Sequence, residues 1–300
     1  MEQAIDGVVG EKPLWRRIVD FPLVAMVIAV IIYAVAAGVA SKVATQVPHL
    51  TPPIVRTLFN SALVFTFILV AYKLAVVRLG ERPRDDLSAR DALPNLGFGL
   101  LVGFLTMAAS VGVAAIAGVY NVVGEGDASR LTYELVVVAI MPAFTEELLF
   151  RGILFRWIEE FGGSWAALLV TSILFGLVHI LNPGATWFSS LAIAVEAGIL
   201  LGGAYMLSRS LWLPMGLHAA WNFTQGEVFD VPVSGIAEHG LLQAKMFGPP
   251  ILSGGQFGME ASIIAIVIAT ATGLWFVWRA AQRGRWVQPY WVRRRALTAT

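Results

Sequence analysis

The sequence predicts an all-α, polytopic transmembrane helical bundle of about eight spans, and three observations carry that expectation. Of the 300 residues, 57% are hydrophobic and only 14% charged, with a mean hydropathy of +0.73, well away from the composition of soluble chains. Apolar runs near the ~20 residues needed to cross ~30 Å of hydrocarbon recur along the whole length. Lys and Arg collect in alternate connections, which sets an orientation.

The spans follow in order. The first runs from about Phe21 to Ala40, the second from Val55 to Val77, the third from Leu96 to Val119, and the fourth from Leu131 into Arg151 or beyond. The fifth covers about Trp165 to Leu181, the sixth Trp187 to Leu207, the seventh and shortest Leu211 to Thr224, and the last Ala261 to Trp278. Glu2, Asp6, Glu11 and Asp20 interrupt the start in a way a signal peptide would not. Lys12, Arg16 and Arg17, the arginines from Arg78 to Arg90, Arg151, Arg156, Arg209, and those from Arg279 to Arg295 all fall on one side. Both termini are therefore expected to be cytoplasmic, which needs an even number of spans. Tryptophans 15, 157, 165, 187, 212, 275 and 278 sit near span ends, where an interfacial belt belongs. Residues 1–300 read as one membrane domain, an integral multi-pass protein, with residues 280–300 as a basic tail able to touch anionic lipid.

Several functions are excluded. With 21 Lys+Arg against 20 Asp+Glu there is no basic field for nucleic acid. The absence of cysteine removes thiolate metal sites and Cys nucleophiles. The longest connections are Arg78 to Asp91 and about Gly226 to Glu260, the latter expected to pack on the membrane surface or act as a lid.

Ionisable groups inside spans are costly and mark a job or a partner. They cluster in the later helices: Glu146, Glu147 and Arg151 in the fourth, His179 in the fifth, Glu196 in the sixth, His218 and Asn222 in the seventh. Glu147 and Arg151, four apart with Glu first, read as a structural ion pair. Glu146 points ~100° away and lacks that partner, which makes it a candidate general base. His218 and Asn222 share a helix face, where both side chains donating to one oxygen would form an oxyanion hole. The midpoint between Glu146 and His179 falls at Gly162–Gly163, so a hairpin turning there brings them to one height, roughly 25 Å from the turn at ~1.5 Å per residue. Pro142 and Pro214 each precede a site residue by four and read as kinks. Gly198 and Gly202 predict close helix packing. Glu196 is either part of the site or a helix bridge, Phe175 packs beside the site, and His49 and His239 receive no role.

Glu146-Glu147-x-x-x-Arg151, Phe175-x-x-x-His179 and His218-x-x-x-Asn222, in that order on successive hydrophobic helices, resemble the CPBP family: CAAX-type prenyl endopeptidases related to Rce1 and bacterial bacteriocin-processing or immunity (Abi) membrane proteases. The resemblance covers about residues 131–225. It implies an intramembrane endopeptidase in which Glu146 and His179 activate a water, His218 and Asn222 stabilise the oxyanion, and Glu147 and Arg151 support the site. No H-E-x-x-H motif is present, so metal-free catalysis without a cofactor is expected; zinc on Glu146, His179 and His218 stays possible. The expected partners are a membrane-associated protein or peptide substrate and the bilayer. A bacterial member would cut something other than a prenylated CAAX protein. The alternatives are a non-catalytic scaffold or self-immunity factor, and a proton-coupled transporter.

Overall fold

A computed structural model describes residues 12–46, 52–237 and 239–298; Glu2, Asp6, Glu11 and His49 lie outside them. The short helix α1 (Leu14–Asp20) leads into α2 (Pro22–Gln46) and α3 (Pro53–Leu74), and then α4 (Ala92–Ile116). Strand β1 (Tyr120–Glu125) precedes α5 (Leu131–Tyr133), a π-helical stretch Glu134–Ile140, α6 (Met141–Glu147), a second π-helical stretch Leu148–Phe155, and α7 (Arg156–His179). Helices α8 (Trp187–Ser208) and α9 (Trp212–Phe223) follow, with a π turn Thr224–Val228, β2 (Leu242–Met246), α10 (Pro250–Ser253), α11 (Ile263–Gln282) and α12 (Tyr290–Thr298).

Among the described residues six helical stretches are long and apolar enough to cross a membrane, not eight. The fourth and fifth expected spans form the single stretch Leu131–His179, yet it folds back where expected: Gly163 inside α7 has φ 82°, ψ 173°, a turn that favours glycine. The seventh, α9, has only 12 residues. Its Pro214 is no mid-helix kink either; it lies in the first turn, where its missing N–H breaks no helix bond. Pro142 does follow a backbone departure, standing directly after a π-helical stretch.

The described termini meet at one end. Phe21 packs edge-on against Phe161 and Tyr290, Phe161 against Trp291, and Arg16 donates to the Arg78 carbonyl. The Arg78–Asp91 connection is a clamp rather than a solvated loop. Asp86 is buried, accepting from Tyr205 Oη at 2.9 Å, while Arg156 reaches the carbonyls of Arg84 and Arg82. Trp157 belongs to this clamp: it is fully buried, packed under Gly80, so it leaves the expected interfacial belt, whereas Trp15, Trp165, Trp187, Trp275 and Trp278 are exposed.

Without a hydrophobic drive between helices in lipid, small residues set the packing. Gly198 meets Ser172 and Gly202 meets Leu168, the close α7–α8 contact the sequence anticipates. Gly99 and Gly103 of α4 press on the α9 backbone, and Gly273 of α11 on α8. At the end opposite the termini, β1 and β2 pair antiparallel with Tyr120 opposite Met246 and a bulge between Val122 and Gly124. Among the described residues that small sheet and an isolated bridge between Val233 and Ile236 are the departures from an all-α fold.

Candidate active site

The site grows from the paired π-helical stretches around α6, a local geometry that re-aims side chains and recurs at functional positions. Glu147, fully buried, accepts from Arg151 Nη1 at 2.8 Å and faces His218 Nδ1 at 2.9 Å through the same oxygen, Oε1. Helices α6 and α9 are thereby joined by one carboxylate. Arg151 is also completely buried; its Nη2 donates to the Ala197 carbonyl on α8 at 3.2 Å, and its guanidinium lies 4.7 Å over the Phe175 ring. Phe175 in turn packs against the rings of His179 (4.7 Å) and His218 (6.2 Å). One aromatic ring and one ion pair thus hold both imidazoles.

These contacts fix the histidine tautomers. His179 Nδ1 lies 2.6 Å from the Phe175 carbonyl. A carbonyl only accepts, so Nδ1 carries the proton and neutral His179 presents Nε2 as an acceptor. His218 Nδ1 donates to Glu147 in the same way, so its Nε2 donates only when the ring is doubly protonated. Asn222 spends one amide N–H on the Val138 carbonyl at 2.9 Å, leaving the second free.

His179, His218, Asn222 and Phe175 line a common cavity of about 30 Å³, also bounded by Glu196, Ser234 and Glu260. That volume admits one or two waters. Glu146 does not line it. Its Oε2 is buried without a hydrogen-bond partner, and the side chain is within electrostatic range of His218, Arg151 and Tyr33. Among the described residues no three His, Asp or Glu side chains gather in a metal-holding arrangement, so Glu146, His179 and His218 do not present a zinc site as they stand.

Two acids, Glu196 and Glu260, also bound this cavity. Glu196, left open between site and bridge, is buried with Oε2 unpartnered. Glu260 was invisible in the sequence because it lies in the long connection, outside any span. It accepts from the Ser234 backbone N–H. Ser234 adopts φ 48°, left-handed for a non-glycine residue, and Asn182, three residues past His179, donates to its carbonyl. The connection thus closes over the cavity as a lid, one of the two roles expected for it.

Burial pushes the Glu260 carboxyl up to about 7, against the opposing hydrogen bonds from Ser234. A raised acid favours the folded state fully below its ordinary pKa, and that advantage is lost as pH rises to about 7. The shift corresponds to about 3 kcal/mol. Glu260→Gln is therefore expected to flatten the fall in unfolding stability between pH 4.5 and 7; a variant that declines as steeply as wild type in detergent melts would show that Glu260 is not the titrating group.

Residues 128–224, about a third of the chain, match the family described as Type II CAAX prenyl endopeptidase Rce1-like. No curated protein and no solved structure matches the chain. The matched segment contains α6, α7, α8 and α9, hence every residue of the Glu147–Arg151–His218 network together with His179 and Asn222. The helices that build this site lie within the segment that is similar to the Rce1-like family.

Proposed function

We propose that the protein is an intramembrane endopeptidase that hydrolyses peptide bonds of membrane-associated proteins or peptides through an activated water. The observation that carries this reading is the small polar cavity, lined by His179, His218 and Asn222 and backed by the buried Glu147–Arg151 pair, inside an apolar bundle. Water held there is orientated by His179 Nε2. Glu146 takes its proton as the hydroxyl attacks the carbonyl carbon, and the same proton then goes to the leaving amine. The second Asn222 N–H and doubly protonated His218 Nε2 stabilise the oxyanion. The free, buried Oε2 of Glu146 is the acceptor this step needs, and substrate binding has to bring it to the water, because Glu146 stands outside the cavity lining. The basic end that gathers both described termini faces the cytoplasm, in accord with the positive-inside rule.

The test is cleavage of a fluorogenic peptide library by detergent-purified protein, comparing wild type with Glu146→Gln, each with and without a strong chelator. Cleavage that survives the chelator and disappears in the variant is expected. Cleavage abolished by chelator and restored by zinc would replace the metal-free mechanism with a metal-dependent one. Undiminished cleavage by a folded Glu146→Gln would remove Glu146 from the chemistry, and no cleavage by folded wild type would favour a scaffold or immunity role.

A further inference from the structure

The basic end holds a cavity of about 610 Å³ between the start of α4, the α8–α9 corner and the end of α11, which shares no lining residue with the active-site cavity. Three arginines line it, Arg279, Arg283 and Arg285, against one acid, Asp91. Among the described residues none of the three arginines has a carboxylate within ion-pair distance. Arg279 donates to the Gln282 side chain and Arg285 to the Leu207 carbonyl, both neutral partners. Several other cations at this end do have carboxylate partners: Arg209 with Glu159, Arg84 with Asp86, and Lys12 and Arg16 with Asp20. Burial, and then repulsion from Arg283 and Arg209, holds the Arg285 guanidinium below its ordinary pKa. Among the residues lining this cavity Asp91 is the one acid set against the three arginines.

The wall is as informative as the charge. Trp275, Trp278 and Phe98 line the same cavity and are themselves 46%, 53% and 41% exposed on the bundle's outer face. Trp side chains settle at the headgroup level of a bilayer. The arginines therefore sit at the depth of lipid phosphates, and the apolar wall runs from them toward the acyl region. Basic pockets between membrane helices at this level are suited to anionic headgroups, and guanidinium forks match phosphate oxygens.

We infer that this cavity binds the phosphate headgroup of an anionic phospholipid, with Arg279, Arg283 and Arg285 on the phosphate and Phe98 and Trp275 along the glycerol and acyl stem. A lipid rather than free phosphate is the occupant because the exposed aromatic wall of Phe98, Trp275 and Trp278 stands beside the arginines and offers an acyl stem a surface that inorganic phosphate would not use.

The experiment titrates purified full-length protein in neutral detergent with phosphatidylglycerol, phosphatidylcholine or inorganic phosphate and follows the thermal unfolding midpoint. Phosphatidylglycerol is expected to raise the midpoint and the other two to leave it in place. Arg279→Gln/Arg283→Gln is expected to need roughly tenfold to thirtyfold more phosphatidylglycerol for the same rise, at about 1 kcal/mol for each basic residue. A triple variant of the tail, Arg293→Gln/Arg294→Gln/Arg295→Gln, is expected to respond as wild type. A midpoint of the double variant that matches wild type without lipid keeps the comparison free of folding effects. The inference is overturned if the double variant responds like wild type, if the tail variant alone loses the response, or if phosphatidylcholine or inorganic phosphate does as well as phosphatidylglycerol.

Discussion

Arg151→Met is expected to cost about 3–5 kcal/mol of stability, because it leaves the Glu147 carboxylate buried with its cation removed. Both residues are fully buried, and Arg151 Nε and Glu147 Oε2 have no hydrogen-bond partners of their own, so the pair depends on the single 2.8 Å contact and on Nη2 reaching Ala197. The same substitution strips the cation from the Phe175 face, which orders both imidazoles. The diagnostic comparison is the double variant Glu147→Gln/Arg151→Met. With both charges gone, most of the lost stability returns, since a neutral pair of similar volume carries no unpaid desolvation. Activity does not return with it: His218 then faces a neutral amide in place of the carboxylate that anchors its Nδ1–H and orients its ring. Detergent melts and peptide cleavage on the two variants separate these effects. Equal instability of single and double variants would show that packing, not charge, dominates at this locus.

How much of this was legible beforehand varies with the range of the interaction. Local patterns were readable: the Glu147–Arg151 pair follows from i,i+4 spacing, the Gly163 turn from a Gly-Gly at the right midpoint, and the Gly198 contact from a small-residue repeat. Three kinds of feature were not. The π-helical stretches around α6 leave no mark on hydropathy, since a shift from i→i−4 to i→i−5 bonding keeps composition unchanged. The Glu147–His218 bond joins residues 71 apart, a pairing no local spacing reveals; the shared face expected for His218 and Asn222 lines the cavity, with one Asn222 N–H donated to the Val138 carbonyl. Glu260 was missed because it lies in a connection, and connections carry no periodicity from which to place a carboxyl over a cavity. The number of long apolar stretches is smaller than the number of expected spans because Leu131–His179 is continuous through its turn at Gly163 and because α9, buried by its neighbours over most of its length, has only 12 residues.

The second large effect concerns the seat of α9. A Cβ built on Gly103 would lie 2.3 Å from the Leu217 carbonyl oxygen, one on Gly99 2.3 Å from the Leu213 carbonyl oxygen, and one on Gly216 2.5 Å from the Leu96 carbonyl oxygen. These obstacles are backbone atoms, which cannot rotate aside, so even a methyl group has to push the helices apart. Gly103→Ala is expected to cost about 1–3 kcal/mol and Gly99→Ala/Gly103→Ala about 3–5 kcal/mol, the range of overpacking with the two sites adding along one contact. The functional loss should be larger than the loss in stability. Leu217 and His218 are adjacent, so an α9 pushed outward at Leu217 carries the imidazole from Glu147, and a displacement of about 1 Å is enough to lower turnover by about 10²-fold. A chain folded at 20 °C but inactive is therefore the expected state of the double variant, with far smaller effects from Gly38→Ala or Gly112→Ala, where an added Cβ meets nothing within 4 Å. If the double variant melts and cleaves as wild type, α4 does not set the position of His218, and the close packing of these two helices has some purpose other than holding the site.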